Sequence, residues 1–272
     1  MLQSCGMASI DELRRRWRPT GRPLGDATIL RILAAGLLLA ALALLVSLAR
    51  PQALPDFSAW PAGPERKARF VEFMQPLIAA ENARVLRDRG RLVSIAAADE
   101  AGWRDRRWLR ALGERYRLDP ETLSGDELLA TLLLRVDAVP MSLALAQAAK
   151  ESGWGTSRFA REGRNLFGQW CYEPGCGIVP HARGAQATHE VERFSTPRES
   201  VESYLRNINT HSAYRDFRLA RAGLRASRAP LSGLVLAEEL QSYSERGSAY
   251  VDEIKQLIRF NDLEEFDGNT DA

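Results

Sequence analysis

The sequence predicts a mostly helical α+β domain with one small β-hairpin lobe, preceded by a single transmembrane helix. Three observations predict it. Residues 32–49 contain no charge and are almost wholly apolar. Beyond them, apolar residues recur at three- and four-residue steps in segment after segment. Strand-like patterning is confined to one stretch, residues 177–194, around Gly184. The 272 residues are 45% hydrophobic and 26% charged, which excludes a disordered chain or a collagen. With 37 Lys and Arg against 35 Asp and Glu, the net charge of +2 exerts no global pull toward nucleic acid. Three histidines and three cysteines leave little material for a structural zinc site.

The run ILAAGLLLAALALLVSLA would span about 27 Å as a helix, close to the thickness of a hydrocarbon core. It shows no polar stripe of the kind a buried helix at a domain surface carries. Arg14, Arg15, Arg16, Arg18, Arg22 and Arg31 precede it, whereas only Arg50 follows before Glu65. The positive-inside rule then puts residues 1–31 in the cytoplasm and everything after Arg50 outside. The run is longer than a signal peptide core and its leader is long, so a retained signal anchor is expected. Ser47-Leu48-Ala49 still offers a small-residue cleavage site. The expected location is the bacterial inner membrane, single-pass, with the body in the periplasm. In that oxidising compartment Cys171 and Cys176 are expected to form a disulfide, the alternative being two free thiols. Cys5 would face the reducing cytoplasm.

Residues 50–64, with four prolines, read as an extended linker. A first helix buries Phe70, Phe73, Met74, Leu77, Ile78 and Val85, and Pro76 should kink or break it. A second covers 103–116. A third starts at Ser124, where Glu127 completes a capping box. Pro140 opens a fourth and Gly153 closes it. Residues 154–176 read as loop, and 177–183 and 187–194 as the two strands. Thr196-Pro197-Arg198-Glu199 starts a helix that buries Val201, Tyr204, Leu205 and Ile208. Further helices are expected at 234–242 and 249–260. The folded domain is thus expected over 65–261, with 262–272 a frayed acidic tail.

Glu151 is the leading candidate for chemistry. It shares a helical face with Ala144, Gln147 and Ala148, whose small or neutral side chains leave room beside it. It also lies in the last helical turn, where the helix dipole disfavours an ionised carboxylate. Partial burial acts in the same direction. Both raise the pKa, as a general acid near neutral pH requires.

The run Ala148-Ala149-Lys150-Glu151-Ser152-Gly153-Trp154-Gly155 is followed by Asn165-Leu166-Phe167-Gly168, then by the W-C-Y-x-P-G-C-G loop from Trp170. Asn209-Thr210-His211-Ser212-Ala213-Tyr214 and Tyr243-Ser244-Glu245-Arg246-Gly247 with Tyr250 complete the set. These ordered blocks resemble the bacterial glucosaminidases, glycoside hydrolase family 73, and most closely their Bax-like branch. The resemblance implies a lysozyme-like fold that cuts peptidoglycan glycan strands on the reducing side of N-acetylglucosamine. It implies Glu151 as the acid and no metal or organic cofactor.

Glycoside hydrolysis ordinarily needs a second group to stabilise the transition state or activate water. In the family that role belongs to an acid in the hairpin lobe or to a tyrosine. Glu190 and Glu192 share a face of the second strand, and Glu173 lies before the hairpin. Glu190 is the expected acid, although the first strand has no Asp or Glu. Tyr204 is the expected tyrosine, its phenol reaching Glu151 or the substrate. Trp154, Phe167 and Trp170, with Tyr172, are candidates to stack on sugar rings or to fill the core. Asn165 and Gly168 are candidates for the sugar-binding turn. The expected partners are peptidoglycan glycan strands and, through the anchor, the membrane. The alternatives are a lytic transglycosylase on the same fold and a non-catalytic peptidoglycan-binding scaffold.

Overall fold

The computed structural model describes residues 53–98, 100–181, 187–244 and 246–269, together with 32–33 and 35–37. The chain divides into two units, Met1–Pro51 and Gln52–Ala272. The predicted membrane span otherwise lies outside the described residues. No helix among the described residues is long and apolar enough to cross a membrane.

The folded body starts before residue 65. Asp56 caps a 3-10 turn, Phe57–Ala59, and Phe57 is buried against the rings of Phe70 and Phe73. The expected linker is therefore partly core, with Leu54 and Trp60 packed on it beside Phe57. Helix α1, Pro64–Ala96, runs straight through Pro76 and does not end there. Pro76 and Glu72, four residues earlier, are both exposed, so the carbonyl freed by the missing N–H faces water. Helices α2, Trp103–Arg115, and α3, Gly125–Arg135, follow, the latter opened by the expected Ser124–Glu127 capping box.

Helix α4, Met141–Ser152, is the centre of the body and is buried continuously from Met141 to Ala149. It packs against α1, against two later helices and against the C-terminal turn. It ends at Gly153 (φ 57°), and Trp154 (φ 57°) and Gly155 (φ 78°) stay in the left-handed region. Glycine is required at 155, since a Cβ there would sit 2.3 Å from the Phe57 ring.

The stretch 154–176 is not all loop. It holds a short helix α5, Arg158–Gly163, capped by Ser157, and a strand β1, Trp170–Cys171. With β2, Gly177–Ile178, and β3, Glu190–Glu192, this makes a three-stranded antiparallel sheet in the order β1-β3-β2, not a hairpin. Val191 opposes both Trp170 and Ile178. Strands of two or three residues are too short for alternation to reveal. A disulfide joins Cys171 to Cys176 and closes the turn between β1 and β2. In the chain-entropy picture so short a loop contributes about 2 kcal/mol.

Helix α6, Pro197–Thr210, opens at Thr196 and buries Val201, Tyr204, Leu205 and Ile208 as expected. A 3-10 turn, Ser212–Tyr214, leads into α7, Arg215–Ala226, which the sequence did not reveal. It buries Phe217, Arg218 and Arg221, with Ala220 and Leu224 half-buried, so two arginines interrupt its short apolar face. Helix α8, Gly233–Ala237, passes into a 3-10 segment, Glu238–Tyr243, and α9 covers Ser248–Phe260.

The last turn, Leu263–Asn269, is packed on α4 and is not frayed. Asp267 accepts hydrogen bonds from Ser142 N (2.9 Å), Ser142 Oγ (2.7 Å) and Gly233 N (2.8 Å). Pro140 gives α4 no side-chain cap, so an acid from the far end of the chain supplies it. The approach to α4 is fixed as firmly. Asn82 of α1 pairs with both backbone groups of Val139, at 2.8 and 3.0 Å. Buried Asp137 meets Arg225 at 3.0 Å and Arg89 at 3.4 Å, and buried Arg221 donates to the carbonyls of Asp137 and Ala138.

Candidate active site

Glu151 projects from the last turn of α4 into a cleft of about 590 Å³. The cleft is walled by the turn 167–170 and Tyr172 on one side and by Ser203, Asn207 and Tyr214 on another. Glu192 on β3 also lines it. Burial pushes the Glu151 carboxyl above its ordinary range. The Tyr250 hydroxyl and the Lys150 ammonium act in the opposite direction without cancelling the rise. Lys150 is itself paired with Glu253, which also binds Arg246.

Gly168 lines the cleft beside the acid. A Cβ at this position would lie 3.6 Å from Glu151 Oε2, and φ there is 66°. The turn that presents it is built by Asn165, which is 1% exposed. Asn165 Oδ1 accepts from the N–H groups of Phe167 and Gln169, and its Nδ2 donates to the carbonyls of Gln169 and Glu192. All its capacity is spent inside the protein, so Asn165 is not a sugar ligand. It ties the Gly168 turn to β3 at Glu192, and so holds both walls of the cleft in register.

Glu192, not Glu190, is the acid of the sheet that faces the cleft. Glu190 is 8% exposed, and its carboxylate accepts from Gly175 N (3.1 Å) and Gly177 N (2.8 Å), which pins the disulfide loop. Burial raises the Glu192 carboxyl, while Arg206, the Ser203 hydroxyl and Arg117 pull it down less strongly.

Tyr204 also differs from expectation. It is fully buried, stacked on Phe167 with centroids 4.0 Å apart, and its hydroxyl donates to Gln147 Oε1 at 2.6 Å. It touches neither Glu151 nor the cleft. The tyrosine at the acid is Tyr250, which also accepts from Gln147 Nε2 at 2.9 Å. Tyr243 stacks on Tyr250 and donates to the Phe167 carbonyl at 3.1 Å. Tyr243 and Tyr250 stand seven residues apart, before and within α9. That spacing alone gave them no role; the ordered blocks of the resemblance were the only signal.

The aromatic candidates divide. Trp170 and Tyr172 line the cleft, 54% and 67% exposed, and Trp170 stacks on His189. Phe167 reaches the cleft from the core. Trp154 does not; it packs edge-on against Phe70, under the Lys67 ammonium, beside a separate groove.

Residues 129–263 match the glucosaminidase family, described as mannosyl-glycoprotein endo-beta-N-acetylglucosaminidase. Over 203 residues the chain is 34% identical to Protein bax of Escherichia coli (strain K12), covering 74% of this chain and 72% of that relative. The chain belongs to the glucosaminidase family. It is accordingly a glycoside hydrolase. The family match runs from α3 past the end of α9 and encloses Glu151, the sheet and nearly all of the cleft. Among solved structures, the catalytic domain of the autolysin Auto from Listeria monocytogenes aligns with 77% of this chain and 92% of its own, at 17% identity and a TM-score of 0.42.

Proposed function

We propose that this glucosaminidase domain is a lysozyme-like peptidoglycan hydrolase. It cleaves the β-1,4 bond on the reducing side of N-acetylglucosamine within glycan strands, with Glu151 as general acid. The observation that carries the reading is the half-buried Glu151 in a cleft that also holds a second half-buried carboxyl, Glu192. Glu151 gives its proton to the glycosidic oxygen as the bond to the anomeric carbon breaks. Glu192 offsets the oxocarbenium-like charge or takes a proton from the attacking water. The exposed faces of Trp170 and Tyr172 offer apolar platforms for sugar rings along the cleft.

The uncharged run at 32–49, with arginines ahead of it, supports a signal anchor in the inner membrane and a periplasmic catalytic body. This would place the cleft on the side of the membrane where peptidoglycan lies. The test uses the full chain in detergent on isolated sacculi. The turbidity of the suspension falls if the reading is right. Protein that sediments with sacculi without clearing them would instead be the scaffold.

A further inference from the structure

Three buried residues outside the cleft form a directional hydrogen-bond chain that leads toward Glu151. The Tyr204 hydroxyl donates to Gln147 Oε1, and Gln147 Nε2 donates to the Tyr250 oxygen. The Tyr250 hydroxyl has one hydrogen, and with its oxygen already accepting from Gln147 that hydrogen is free to point at the Glu151 carboxylate. We infer that Gln147 is a positioning residue for the acid: its amide, locked by Tyr204, holds the Tyr250 hydrogen on one oxygen of Glu151. This rests on the reading of Glu151 as general acid.

The direction of the chain follows from its donors. Gln147 is fully buried, one helical turn before Glu151 on α4, and has an amide that two phenols compete to orient. Were the amide reversed, the Tyr204 hydrogen would lose its acceptor, and the Tyr250 hydrogen would be drawn to Gln147 and away from the carboxylate. Tyr204 is itself immobile, stacked on Phe167, and Tyr250 is stacked on Tyr243. A carboxylic acid whose one oxygen accepts from Tyr250 carries its proton on the other. The relay therefore selects the oxygen that delivers the proton, and it does so without any Gln147 atom entering the cleft. The groups facing Glu151 from its surroundings are Lys150 on its own helix, Tyr250 on α9, and Tyr204, Tyr214 and Tyr243. Glu192, Arg117 and His211 share the cleft. Gln147 touches two of these, Tyr204 and Tyr250, and Tyr250 is the one whose hydroxyl bears on the Glu151 carboxyl.

The test compares full-length Gln147→Met, Tyr250→Phe, their double variant and Tyr204→Phe on isolated peptidoglycan, with kcat, KM and pH profile measured for each. Gln147→Met is expected to lower kcat about 10- to 100-fold with KM within about twofold. It should also move the alkaline limb of kcat/KM to higher pH, because the Tyr250 phenol, no longer held by the amide, is directed less well at the ionised acid. The double variant should be no slower than Tyr250→Phe. Gln147→Glu, once protonated, presents an acceptor and a donor in the same places and should recover activity at low pH. A folded Gln147→Met with an unchanged limb, or losses that multiply in the double variant, would overturn the relay. If Gln147→Met does not fold, Tyr204→Phe decides: an unmoved limb there is equally fatal. Glu151→Gln, run alongside, separates the two readings, since activity surviving in it would remove the acid assignment itself.

Discussion

Glu151→Gln should fold like the parent, bind sacculi and lose about a thousandfold or more in kcat. A positioned general acid contributes roughly 10²–10⁴-fold, and an amide of the same shape has no proton to give. The amide matches the carboxylate in shape, and Gly168 beside it carries no side chain to clash, so the change leaves the packing intact. The parent's pH profile should carry the same signature. Burial raises the Glu151 carboxyl, so the protonated, active form persists above the ordinary glutamate range of about 4.3. Activity then falls as pH rises through that raised value. Glu192 is also raised by burial, and its ionised form would be needed for water activation, so the acid limb shifts upward too. For stability the sign at both glutamates is unfavourable at high pH. The folded state holds their protons more tightly than the unfolded chain does, and raising the pH removes that advantage.

Asp137→Ala should destabilise the domain by about 3–5 kcal/mol, with a fall in Tm on the order of 10 °C measured by calorimetry. Asp137 is buried, and Arg225 and Arg89 reach its carboxylate while fully buried Arg221 lies beside it. Burial alone would raise the carboxyl, but Arg221, Arg225 and Arg89 overturn that and hold it below the usual range. Burial in turn pulls Arg221 down to about 10. Removing the anion strands Arg221 in the core without its counter-charge. The pH dependence runs opposite to that of the glutamates. The stabilisation from Asp137 is complete above the unfolded value of about 3.9 and is lost as pH falls through the lower folded one. Because Asp137 stands just before α4, the damage should reach the helix that carries Glu151.

The helices were legible where local chemistry decided them. Ser124 with Glu127, Thr196 with Pro197, and Gly153 each mark a terminus by hydrogen bonds within one turn. Elements decided by distant partners were not. Helix α7 hides because arginines break its apolar face, and they are made tolerable inside by Asp137 and by carbonyls of the chain ahead of α4. The C-terminal turn looked frayed because its worth lies in Asp267 capping a helix 125 residues away. The site divides in the same way. Glu151 was readable from its place on one helix. Glu190 and Glu192 were indistinguishable by alternation, and only the closure of the disulfide loop onto Glu190 leaves Glu192 for the cleft. Tyr204 and Asn165 carried the right residue types at the right blocks. Their polar atoms are committed to Gln147 and to the turn at Gly168, which no local pattern discloses.

The most direct measurement is the chemical identity of the new glycan ends. Isolated peptidoglycan is digested with the full chain and with Glu151→Gln, reduced with borohydride, and analysed by mass spectrometry. Reduced N-acetylglucosamine ends from the parent, absent from the variant, are the predicted result. Anhydro-muramyl ends would contradict hydrolysis and make the enzyme a transglycosylase. N-acetylglucosamine ends undiminished in Glu151→Gln would contradict the assignment of the acid.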